Sequence, residues 1–79
     1  MFVYILYSDK LSRYYVGQTA NFKKRLERHN LGIVKSTKGG LPWRLVLKLK
    51  VDTRSEALLL EKKIKKRGIK RFLDNYFGV

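Results

Sequence analysis

The chain opens on FVYILYS, in which Phe2, Tyr4 and Leu6 share one side of an extended backbone and Val3, Ile5 and Tyr7 share the other. Its aromatic and β-branched content predicts a strand over residues 2–8. DKLSR, residues 9–13, is a polar connection, and YYVGQT predicts a second strand over 14–19, folded back on the first as a hairpin. Gly17 inside that strand suggests a bulge or a close approach to the backbone. Asn21 fits the N-cap of a helix, FKKRLERH, with Phe22 and Leu26 as its apolar pair; NLG stops it. VKSTKGG, residues 34–40, reads as a flexible basic loop. Leu41, Pro42 and Trp43 then lead into a third strand over 45–51, whose period-two face is Leu45, Leu47, Leu49 and Val51. Thr53 and Glu56 fit a capping box for the helix EALLLEKKIKK, which ends before Gly68. Ile69, Phe72, Leu73 and Tyr76, at i, i+3, i+4 and i+7, predict a last helix. The expectation is one α+β domain over residues 1–79: a small three-stranded antiparallel sheet flanked by about three helices.

Composition narrows the chemistry. A chain of 79 residues has a small core and buries about 60% of its unfolded surface. The absence of cysteine excludes a disulfide framework and a thiolate zinc site, and a single histidine excludes an imidazole-rich metal site. Any metal must be held by oxygen, which favours Mg²⁺ or Mn²⁺. MFVYILYS is too short for a signal peptide, and no apolar run approaches a membrane span, so a cytoplasmic protein is expected. Nineteen Lys and Arg against six acids give a net charge of +13. That charge makes nucleic acid the leading partner and deduces no protein partner.

Two segments carry candidate chemistry. Arg25 and the lone His29 are four residues apart, so they share a helical face, just after Tyr14 and Tyr15. Glu61 falls on the apolar stripe of Ala57, Leu60 and Ile64, where a carboxylate is costly unless something cationic meets it. Each has an ordinary reading. Arg25 fits a solvated basic face, His29 a helix C-terminus, Glu61 a rim carboxylate paired with a lysine, and Tyr4 and Tyr15 half-buried sheet tyrosines.

Together these residues resemble the GIY-YIG nuclease superfamily, in particular its small stand-alone bacterial members. The signature halves correspond to Phe2-Val3-Tyr4 and Tyr15-Val16-Gly17. Arg25 lies ten residues after the second tyrosine, His29 a turn later, and Glu61 on the helix that follows TRSEA. HNLG, TKGGLPWRLV and RSEALLLEKKIK resemble those small proteins and the structure-selective junction nucleases. The sequence departs from the family in Phe2-Val3 for GI and in Gln18, where the repair-incision branch carries a basic residue.

The resemblance implies the GIY-YIG endonuclease fold and hydrolysis of phosphodiester bonds with one Mg²⁺ or Mn²⁺ ion, in DNA repair or recombination. On it, Glu61 holds the metal and Arg25 neutralises the phosphate. Tyr4, Tyr15 or His29 serves the attacking water, with the choice among the three left open. Gly17 is the motif glycine that permits close approach, and Asn75 matches an asparagine of the last helix in some members. Lys24, Arg28, Lys35, Lys38 and Arg44 are candidates to guide the nucleic-acid backbone, with DNA ahead of RNA. The rivals are a basic binding module without turnover and an RNA-directed nuclease.

Overall fold

Strand β1 (Phe2–Ser8) becomes the middle of the sheet, in a computed structural model that describes residues 1–78. Strand β2 (Arg13–Thr19) and strand β3 (Trp43–Lys50) pair antiparallel to its two sides, in the order β2-β1-β3. Helix α1 (Phe22–Asn30) follows the hairpin; helices α2 (Arg54–Arg67) and α3 (Ile69–Phe77) follow β3. The expected α+β architecture of three antiparallel strands and three helices is therefore the observed one.

Because β1 is central, both sets of its alternating side chains are buried. Val3 and Ile5 join Val16, Ala57, Ile64 and Leu73 in one cluster, under α2 and α3. Tyr4 and Leu6 join Trp43 in a second, against Phe22 and Leu26 of α1. Burying each large side chain of these clusters stabilises the fold by about 1.5–3 kcal/mol.

The helix ends follow the capping rules. Asn21 Oδ1 accepts from Lys24 N–H at 3.1 Å, and Thr53 Oγ1 accepts from Glu56 N–H at 3.1 Å. Glu56 reaches back to the Thr53 hydroxyl, at 3.1 Å. Gly68, at φ 97°, turns the chain from α2 into α3 with a backbone that L side chains rarely adopt.

Three local expectations are revised. β3 begins at Trp43, and a register irregularity opposite Ile5 and Leu6 breaks its period-two face. Leu45 is consequently 40% exposed, whereas Val46 packs on the α2–α3 side of the core. Gly17 is not a bulge, since the β1–β2 register runs unbroken through it. Residues 34–40 are not a free loop: Lys38–Gly40 form a 3₁₀ turn, and Ser8 Oγ donates to Gly40 O at 2.6 Å. Among the described residues, no helix is long and apolar enough to cross a membrane.

Candidate active site

Gly17 is the cross-strand partner of Tyr4. A Cβ added at Gly17 would lie 2.5 Å from the Tyr4 hydroxyl and 2.7 Å from Tyr4 Cζ, so the missing side chain is the space the Tyr4 phenol occupies. Glycine is required here by its neighbour's ring, not by its own backbone angles. Tyr15 stands beside the phenol, with ring centroids 6.4 Å apart.

From α1, His29 reaches the same place. It is fully buried, and its Nε2 lies 3.0 Å from the Tyr4 hydroxyl. Its Nδ1 lies 2.7 Å from Thr37 Oγ1. The Tyr15 and His29 rings meet edge to face at 5.2 Å. Arg25, one turn earlier on α1, is near enough for its charge to act on Tyr4. Tyr4, Tyr15, Arg25 and His29 are thus brought together on the α1 side of the sheet.

Burial pushes the Tyr4 hydroxyl up to about 12, with further upward contributions from Tyr15 and Glu61; Arg25 opposes them. Burial likewise lowers the pKa of His29, helped by the Arg25 charge. At neutral pH the pair is therefore a neutral phenol against a neutral imidazole.

Glu61 projects from α2 within electrostatic reach of Tyr4. Its side chain is 18% exposed and pairs with Lys65 Nζ at 3.0 Å, so the cation expected to meet it is present. Among the described residues, no three acidic or histidine side chains gather into a metal site. One partly exposed carboxylate matches the way Mg²⁺ binds, through one or two carboxylates while keeping several waters for exchange with phosphate oxygens.

The basic candidates separate. Arg25 lines two small polar cavities: one of about 150 Å³ with Lys24 and Arg28, the other of about 140 Å³ with Gln18 and Arg54. Arg44 lies on the opposite sheet face, over the Tyr7 ring at 5.0 Å and paired with Asp9 at 3.4 Å. Asn75 turns its amide oxygen to the Arg67 guanidinium and lines a different cavity, with Lys63, Phe72 and Tyr76. Lys35 and Lys38 flank Thr37 on the anchored segment.

Sequence reasoning missed Thr37, Arg54 and Lys48. Lys48 pairs across the sheet with Tyr4 and stands over the Phe22 ring at 5.1 Å. Its place between leucines in LVLKLKV was the available signal, since an extended chain alternates its faces. Arg54 and Thr37 carried no local signal.

A family model, the GIY-YIG catalytic domain, matches residues 1–72. The chain belongs to the GIY-YIG family. Its sheet and helices are those of the GIY-YIG fold, with Tyr4 and Tyr15 on paired strands. Membership makes this a nuclease-family domain whose substrate class is nucleic acid. No curated protein and no solved structure matches the chain.

Proposed function

We propose that this GIY-YIG domain is a divalent-metal-dependent endonuclease that hydrolyses phosphodiester bonds in DNA, with a preference for branched or flapped structures. The observation that carries the reading is the convergence of Tyr4, Tyr15, Arg25 and His29 on one sheet face, with Glu61 in electrostatic reach.

Glu61 is the residue that would hold Mg²⁺ or Mn²⁺; when bound, the ion supplies Lewis-acid polarisation of the scissile phosphate. Arg25 neutralises the phosphoryl oxygens as charge develops, which its position between two cation-lined cavities favours. Lys24, Arg28, Lys35 and Lys38 hold the flanking backbone.

Both ring nitrogens of His29 are engaged, by Tyr4 and by Thr37, so it does not meet the attacking water itself. Tyr15, the more exposed tyrosine, orients that water. Tyr4 takes the water's proton on its phenolic oxygen while passing its own proton to His29 Nε2. Two neutral groups share the transfer, which avoids forming a tyrosinate whose pKa stands at about 12. The leaving oxygen is protonated by solvent, and the imidazolium returns its proton through Tyr4.

The test is cleavage of branched, flapped and plain duplex DNA with Mg²⁺ or Mn²⁺ by the parent, Glu61→Ala and Arg25→Ala proteins. Metal-dependent nicking by the parent, lost in both variants, is expected. Tight binding by all three with cleavage by none would instead assign a basic binding module, and cleavage competed out by single-stranded RNA would assign an RNA-directed nuclease.

A further inference from the structure

Thr37 is as deeply placed as any residue of the site, 1% exposed, yet it comes from a segment whose sequence reads as surface loop. Its hydroxyl meets His29 Nδ1 at 2.7 Å, and its carbonyl accepts from Trp43 Nε1 at 2.6 Å. A third bond, from its Oγ1 to Val34 O at 3.4 Å, gives the hydroxyl proton a destination.

Donor counting orders these contacts. The Val34 carbonyl can only accept, so a Thr37 hydroxyl proton placed there leaves Oγ1 to accept from His29 Nδ1–H. Tyr4 is 1% exposed, and its buried O–H needs an acceptor, for which His29 Nε2 at 3.0 Å is in place. With Nε2 accepting, the neutral ring carries its proton on Nδ1 and donates it to Thr37 Oγ1, which donates onward to Val34 O. In this direction each buried donor has an acceptor. The reverse direction gives up the bond to Val34 O and takes from the buried Tyr4 O–H its acceptor on His29.

We propose that Thr37 is a positioning residue that fixes His29 as the Nδ1–H tautomer, so that its Nε2 lone pair is held on the Tyr4 hydroxyl to receive a proton. The role rests on the nuclease reading for its use, but the tautomer does not. During attack, the water proton moves to Tyr4 Oη and the Tyr4 proton to His29 Nε2. Nδ1–H stays on Thr37 throughout, and the resulting imidazolium has a partner for each N–H. The same threonine joins the site to the segment that carries Lys35 and Lys38, so backbone contacts there and the orientation of His29 share one anchor.

The experiment exploits the single histidine, which makes the imidazole nitrogen spectrum unambiguous. Long-range ¹H–¹⁵N spectra of the parent, above the pH at which His29 protonates, should show a pyrrole-type Nδ1 with a protected proton and a pyridine-type Nε2. A proton on Nε2 overturns the proposal without any variant. Thr37→Val, which keeps the shape and removes the acceptor, should shift His29 toward the other tautomer. It should also lower kcat by about 10–100-fold at little-changed KM, the loss seen when histidines at metal sites lose their orienting partner. Thr37→Ser should restore both. An unchanged tautomer or an unchanged kcat in folded Thr37→Val overturns the assignment. If the valine variant does not fold, the parent spectrum and the serine variant still decide it. A parent that shows the Nδ1–H tautomer but cleaves no substrate sinks the nuclease reading and leaves the histidine geometry standing.

Discussion

Val3 and Ile5 leave β1 on one side, Tyr4 and Leu6 on the other, and the two sides are held by different means. Under α2 and α3 the contacts are mostly apolar: Val16, Ala57, Ile64 and Leu73 close over Val3 and Ile5, with the buried Gln18 Oε1 opposite Val3 as a polar atom at the edge. Toward α1, the buried set includes His29, Thr37 and Ser8, each hydrogen-bonded. The first arrangement tolerates small changes of shape, because apolar attraction has little direction. The second depends on where each proton sits, because a buried polar atom left without a partner costs about 1–3 kcal/mol. One strand thus serves as scaffold with its odd positions and as site with its even ones.

Neighbouring substitutions on β1 separate the two roles most widely. Tyr4→Phe should lower the cleavage rate by about 10²–10⁴-fold, the usual worth of a positioned acid–base group. Ile5→Val, next to it, should cost about 0.5–1.5 kcal/mol of stability and leave the rate of the folded protein unchanged. Single-turnover kinetics beside denaturant titration checks the pair, and equal rate losses would erase the distinction between faces.

Salt dependence should divide the cations in the same way. If about six phosphates are neutralised, log K against log salt should have a slope near −5. Arg28→Ala, beside Arg25, should reduce that slope by about one, whereas Arg44→Ala, across the sheet and paired with Asp9, should not. Fluorescence anisotropy at several salt concentrations reads both.

Gly17→Ala tests the boundary between strand and site. The added methyl meets the Tyr4 ring, and relieving such overpacking costs about 1–3 kcal/mol. The thermal midpoint should fall, and cleavage should fall with it because the displaced ring is Tyr4.

Acid should weaken the α1 face first. His29 titrates below 6.5 in the fold and near 6.5 when unfolded, so the unfolded chain binds the extra proton as pH falls. Stability present above pH 6.5 should drain away as pH drops through the folded pKa, and cleavage should decline in the same window. Thermal melts from pH 7.5 downward check the direction; a stability that rises on acidification would contradict the buried neutral imidazole.

The smallest effect concerns Lys65, 58% exposed, whose pairing with Glu61 is of the i,i+4 kind. Exposed pairs of this kind are worth about 0.3–0.5 kcal/mol. Lys65→Met should therefore barely move stability while making Glu61 a stronger ligand for Mn²⁺, measured by calorimetry.

Much of this was legible in the sequence because it is local. Aromatic and β-branched content located β1, and YYVGQT its hairpin partner β2, while Asn21, Thr53 and Gly68 marked helix ends through bonds or angles that span only a few residues. The Arg25–His29 spacing gave their common side, since one helical turn is a local fact. Thr37 was not legible: its worth comes from a histidine eight residues back and a tryptophan six residues on, folded around it. The β3 irregularity was hidden for a related reason, as strand register is fixed by the partner, here Ile5 and Leu6. Arg44 read as a backbone guide because charge carries no side; only pairing placed it over Tyr7.

Trp43 closes the Thr37 segment, and it is the chain's one tryptophan. Its indole is nearly buried, 6.2 Å from the Tyr15 ring, and it donates to the Thr37 carbonyl. The molecule therefore carries a built-in optical gauge: its emission reports, from a single known position, whether the segment bearing Lys35 and Lys38 is seated or lifted. Any event that moves that segment changes the polarity around one chromophore, and can be followed in unlabelled protein in real time.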